Sequence, residues 1–214
     1  MYPDLIILGS GGHAISVANV AISCSWSVSF LAKDTHHFDE PPGTRRILDS
    51  DIDVDGEFCF AIGIGDNATR ESTYLSIKRT YRNSSFPSII HPTALVSNWV
   101  TIEEGSVIMP QAVVGPYSRI GKFCILNTAS SIDHNSVMAD FSSLGPQACA
   151  GGGFSLGVKS AIGINASVRH NVSIGQNVVV GANSFVKDNI PDNTLVYGVP
   201  AKIARKREVG EPYL

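Results

Sequence analysis

The chain has 214 residues, 43% of them hydrophobic, which is enough for one or two domains with true cores. Sixteen Lys and Arg stand against nineteen Asp and Glu, a formal net charge of −3 with no long basic stretch, which argues against a nucleic-acid partner. No charged leader with an apolar run opens the sequence and no segment approaches eighteen apolar residues, so a cytoplasmic protein is expected rather than a secreted or membrane-spanning one.

In chain order, Leu5-Ile6-Ile7-Leu8 predicts a buried strand that runs into Gly9-Ser10-Gly11-Gly12-His13 and a helix over 14–23. A second strand over 28–31 ends at Lys33-Asp34. A third over 58–62 passes through Gly63 and Gly65 into a helix over 67–78. Strand, glycine turn and helix repeated in this way predict a small Rossmann-like parallel α/β sheet spanning residues 1–86. The acidic stretch 49–55 reads as a surface loop, and Pro87 and Pro92, flanking Ile89-Ile90, as a linker. A glycine turn that opens a helix can cradle phosphate, because free N–H groups and the positive dipole end meet there. Position 14 is Ala, so the six-position dinucleotide fingerprint is incomplete and a diphosphate fits better than NAD. A tight turn without ligand is the plainer reading of these glycines. Asp34 could accept bonds from a ribose or base, although a lone Asp often only caps a turn.

From Val96 to Val186 every sixth residue is apolar, sixteen positions of sixteen. A six-residue period fits neither helix nor ordinary strand and predicts a hexapeptide β-solenoid over 87–214, with about five coils in 94–187. Two residues before each column member the side chain is usually small, as at Ser106, Ala112, Ser118 and Cys124. The residue after it is often Gly, as at Gly115, Gly121, Gly145 and Gly163, a choice expected to supply unusual backbone angles. Cys24, Cys59, Cys124 and Cys149 lack metal-ligand spacing and read as buried, reduced thiols.

His134 and His170 are thirty-six residues apart, two coils, with Gly152 midway. At the strand spacing their imidazoles stand about 10 Å apart, too far to share a metal, so no metal is expected. His134, between Asp133 and Asn135 and seven residues after Asn127, suits a general base; the plainer reading is a surface histidine at a corner. The basic run Lys202, Arg205, Lys206 and Arg207 is either a solvated tail or a contact for an anionic ligand.

Taken together, the glycine turn, Ile89-Ile90-His91-Pro92, Leu126-Asn127-Thr128, Asp133-His134 and Tyr197-Gly198-Val199-Pro200-Ala201-Lys202 resemble the bacterial nucleotide-sugar N-acetyltransferases of the bacillosamine-precursor and perosamine type, relatives of sialic acid O-acetyltransferases. The resemblance covers nearly the whole chain. It implies a left-handed parallel β-helix and a homotrimer with acetyl-CoA between neighbouring helices. It also implies His134 as base, Asn127 holding the acceptor, and the Gly152 N–H at the acetyl group. Ser143, His170, Lys202 and Arg205 fall on the coenzyme side, and Gly11, Gly12, His13, Asp34 and Gly65 on the nucleotide-sugar side. Two positions depart from the pattern. Asn135 stands where relatives carry an acidic residue, so Asp133 is expected to matter more, and Ser143 replaces a histidine. The expected reaction is direct acetyl transfer to the C4 amine of a 4-amino-4,6-dideoxy sugar. O-acetylation, a Cys149 acyl-enzyme and a non-catalytic nucleotide-binding trimer are the alternatives.

Overall fold

The computed structural model describes residues 4–32, 41–48, 50 and 52–213. Strand β1 (Asp4–Leu8) is flanked by β2 (Ser27–Ala32) and β4 (Cys59–Ile62), with β3 (Arg45–Leu48) outside β2, in a parallel sheet of order β3-β2-β1-β4. Both faces are covered, which explains the unbroken apolar run in β1. Leu5 and Ile7 lie under helix α1 (Gly12–Ser23), while Ile6 and Leu8 join the aromatic cluster of Phe60, Tyr81 and Phe86 beside helix α2 (Asn67–Thr80). The sequence gives no signal for β3, because Arg45-Arg46-Ile47-Leu48 does not alternate; pairing with β2 makes it an edge strand.

The solenoid begins one rung before the column counted from Val96, within the 87–214 span. Strand β5 (Ile89–Ile90) pairs in parallel with residues 107–108 at the eighteen-residue offset, so this segment is the first rung and not a linker. Its column residue, Ile90, lies six before Val96 and continues the apolar column; it is 37% exposed because an end rung has one neighbour. The first face carries rungs at 89–90, 107–108, 125–126, 143–144, 161–162 and 179–180, then Thr194–Gly198 and its antiparallel return Ala201–Lys206. Seven of these eight strands are parallel rungs, hence six coils of a left-handed β-helix. The second face is built on 95–96 through 185–186, and the third on 101–102 through 173–174. The column side chains meet inside: Ile108, Val114, Ile120 and Leu126 are fully buried.

The corner glycines serve a different purpose from the one expected. Gly115 and Gly145 have ordinary φ; a Cβ at Gly115 would stand 2.6 Å from the His134 backbone nitrogen, and one at Gly145 2.9 Å from that of Ile164. Close approach of the next coil excludes a side chain there. The left-handed angles fall two residues later, with φ of 57° at Asn135 and 55° at Asn165, positions the sequence fills mostly with Asn, Gln or an aromatic. The small residues before the column stitch coils together: Ser106 donates to Gly121 O (2.7 Å) and accepts from Cys124 N (3.0 Å).

The α/β unit docks on the corner after the third face. There Phe123 and Phe141 stack at 5.1 Å and 3°, with Tyr74 of α2 4.4 Å from Phe123. Arg70 of α2 is fully buried beside them. Its five donors reach Phe123 O, Phe141 O, Ile64 O, Gly65 O and Asn67 Oδ1 at 2.6–3.1 Å. Asn67 in turn donates to the carbonyls of Lys159 and Ser160. Of the cysteines, Cys124 is buried, with its thiol pushed up to about 11 by desolvation. Cys24 and Cys59 are half-buried. Cys149 is exposed, contrary to expectation, because it takes the outward position of its rung.

Candidate active site

Eighteen residues per coil place His134, Gly152 and His170 on successive rungs of the corner after the second face, as Gly153 N donating to His134 O and Asn171 N to Gly152 O establish. The exposed His134 ring leans over Gly152, where a Cβ would stand 2.5 Å from Nε2. Glycine leaves room for the imidazole in this position, and a side chain there would push the ring aside. Nδ1 lies 2.9 Å from Asn135 Oδ1, which only accepts, so Nδ1 carries the proton and Nε2 keeps its lone pair. Asp133 does not hold the ring, contrary to expectation: its Oδ1 accepts from the His134 backbone N–H at 2.7 Å and closes the turn. Among the described residues the Gly152 N–H has no hydrogen-bond partner.

A cavity of about 500 Å³ opens elsewhere, between the α/β unit and the first face. Its floor is the outward column Ile125, Ser143, Ala161 and Val179, and its far wall the corners Gly145-Pro146, Gly163-Ile164 and Gly181-Ala182. His13, Ser16 and Gly65 form the near wall, with Asn127 and Tyr213 also lining it. Rungs 127 to 181 span three coils, about 14 Å, so the space is long and narrow. Asn127 Oδ1 accepts from Thr128 N (2.8 Å), which leaves its NH₂ group as a donor. The His13 Nε2 is buried with no partner among the described residues, and desolvation, aided by the charge of Arg70, lowers its pKa to about 4. His13 is thus neutral at pH 7.

At the head of α1, Gly11 is the N-cap and offers no side-chain cap. A Cβ at Gly11 or Gly12 would meet nothing within 4 Å, so the helix end faces open space. Ala14 occupies the third fingerprint position because Gly63 makes the close approach from the other side: a Cβ there would strike Ala14 at 2.5 Å.

Within one chain the expected residues therefore fall into separate groups. Asn127, Ser143, His13 and Gly65 share the cavity, with Gly11 and Gly12 at the head of α1. His134, Asp133, Asn135, Gly152 and His170 occupy the next corner. Arg205 and Lys202 lie on the closing hairpin, where Arg205 is paired with Glu211 at 2.5 Å and Lys202 is exposed. Asp34 lies outside the described residues. Tyr213, Ser16 and Pro146 were missed, since nothing in their local sequence ties them to this space.

Comparison with known proteins fits this geometry. The family profile for the PglD N-terminal domain matches residues 4–77. The acetyltransferase domain of PglB from Neisseria gonorrhoeae, solved with acetyl coenzyme A, is 29% identical with a TM-score of 0.87 over 95% of this chain and all of its own. A variant of GDP-perosamine N-acetyltransferase from Caulobacter crescentus, solved with CoA and GDP-perosamine, is 30% identical with a TM-score of 0.87 over 96% of this chain and 99% of that one. WeeI from Acinetobacter baumannii shares the fold at 20% identity, with a TM-score of 0.83 over 94% of this chain and 99% of its own. With a PglD-type α/β unit, a left-handed β-helix and 30% identity along nearly its whole length, the chain belongs to the hexapeptide-repeat sugar N-acetyltransferase family.

Proposed function

We propose that the protein moves the acetyl group of acetyl-CoA to the C4 amine of a nucleotide-linked 4-amino-4,6-dideoxy sugar, with His134 as general base. The observation that carries this reading is the free Nε2 lone pair of His134 held over Gly152, with Nδ1 fixed by Asn135. As the amine nitrogen attacks the thioester carbonyl, Nε2 takes its proton. The Gly152 N–H donates to the oxyanion of the tetrahedral intermediate, a contribution of about 3–4 kcal/mol for such a donor. Collapse breaks the C–S bond, and the imidazolium returns its proton to the departing thiolate.

His134 and the long cavity lie on different corners of one protomer, so the complete site joins the corner of one copy to the cavity of the next in a homotrimer. A bare aromatic pair on the His134 corner supports this. Trp99 and Tyr117 stack at 5.1 Å and 9° on the rungs below His134, and are 70% and 58% exposed. Phe123 and Phe141 make the same stack on another corner and are covered by the α/β unit. The cavity suits an extended pantetheine arm, and the open end of α1 suits the diphosphate of the sugar nucleotide. Acetyl-CoA and a nucleotide sugar are supplied together in the cytoplasm, and no helix among the described residues is long and apolar enough to cross a membrane.

Release of CoA thiol should be followed with UDP-, dTDP- and GDP-linked amino sugars, with hydroxyl-bearing sugars as competitors. His134→Ala should lower kcat at least about a hundredfold at pH 7. A variant that kept a tenth of the activity would remove the general base from this account, and faster turnover of the hydroxyl sugars would move the reaction to O-acetylation.

A further inference from the structure

Tyr213 is bound into the cavity by a segment with its own anchors. Arg207 N donates to Asn193 O (2.9 Å), Asn177 Nδ2 to Glu208 O (3.0 Å), and the Glu211 carboxylate meets Arg205. Tyr213 N then donates to Asp66 Oδ2 at 3.2 Å, and the phenol enters between the α/β unit and the first face.

The phenol oxygen has Gly65 O at 2.9 Å, Ser143 Oγ at 2.9 Å and, farther off, the acceptor Asn67 Oδ1 at 3.5 Å. A carbonyl only accepts, so the single phenol proton goes to Gly65 O. Ser143 must then donate its own proton to the phenol oxygen. The chain runs one way, Ser143 to Tyr213 to Gly65, and Arg70 pins its far end by donating to the same Gly65 O at 2.8 Å. Ser143 is left with lone pairs alone for the cavity, in a floor otherwise made of Ile125, Ala161 and Val179.

We infer that Tyr213 is a positioning residue that fixes Ser143 as an acceptor, so that Ser143 selects the N–H of a secondary amide. Resting on the acetyl-CoA reading above, that amide belongs to the pantetheine arm. A phenylalanine at 213 keeps the packing but frees the Ser143 proton, and the polarity of the floor is lost.

The test is calorimetric binding to the full chain of two probes: CoA, and a CoA analogue in which the amide nearest the thiol is an ester. The wild type should prefer the amide about tenfold, the size of one hydrogen bond to a fixed acceptor. Tyr213→Phe and Ser143→Ala should each abolish the preference, and the double variant should lose no more than either alone. The KM of the nucleotide sugar should not move. A merely structural loss would weaken both probes equally and leave the preference intact, which overturns the inference, as does a wild type indifferent to the ester. A wild type that bound CoA with that indifference would leave the acetyltransferase reading standing; one that bound no CoA would end both.

Discussion

Replacing Arg70 with Met should separate the α/β unit from the solenoid. Five acceptors, three of them in buried bonds, lose a charge-assisted partner: Ile64 O, Gly65 O and Asn67 Oδ1 on the α/β unit, and Phe123 O and Phe141 O on the solenoid. At roughly 1–3 kcal/mol for each orphaned group the sum would rival the whole stability of a domain. Part of that is recovered. Tyr213 still donates to Gly65 O, and the desolvation that lowers the Arg70 pKa disappears with the charge. The net loss should be about 3–5 kcal/mol, the range seen when one partner leaves a buried ionic network. Arg70→Lys should recover little, because an ammonium has three donors and no planar fork. The assay is equilibrium unfolding in urea in a Trp99→Phe background, followed by the fluorescence of Trp26 in the α/β unit and by far-ultraviolet circular dichroism for the β-helix. With Arg70 in place the two transitions should coincide. In Arg70→Met the Trp26 transition should move to lower urea and part from the other. Coincident transitions with less than about 1 kcal/mol lost would refute the idea that this guanidinium joins the two units.

Gly152→Ala should lower kcat about a hundredfold with little change in melting temperature, because a Cβ 2.5 Å from Nε2 must displace the imidazole; steady-state kinetics with unchanged turnover would contradict the stacked geometry. Gly11→Val should cost little thermal stability, since its Cβ has open space and only the cap preference for glycine is lost, yet raise the KM for the sugar nucleotide tenfold or more; an equal rise for acetyl-CoA would count against the division of labour. His13 carries a pH signature of its own. Its folded pKa of about 4 lies below the ordinary 6.5, so the unfolded chain binds the proton first as pH falls. This group leaves stability untouched above pH 6.5, removes about 3 kcal/mol between there and pH 4, and adds nothing further below. His13→Gln should flatten that slope in urea midpoints measured at pH 7 and 4.5; parallel slopes for both proteins would show that the imidazole is not held neutral by burial.

The sequence by itself determined what repeats. A column with a six-residue period is a local pattern, and every coil sees the same neighbours, so the solenoid and the stacking of His134, Gly152 and His170 follow from counting. The α/β unit was legible for a similar reason, strand, glycine turn and helix being short-range. Only the tertiary structure decided what binds one part to another. Arg70 reaches carbonyls fifty-three and seventy-one residues away, and Tyr213 a serine seventy residues away, with no period or spacing to announce either. The same holds at short range when two neighbours compete. Asp133 and Asn135 both flank His134, and the left-handed turn at Asn135 decides that the amide meets the ring while the carboxylate closes the backbone. Hydrogen bonds are directional and packing is specific, so partners without a repeat are chosen by the folded geometry alone.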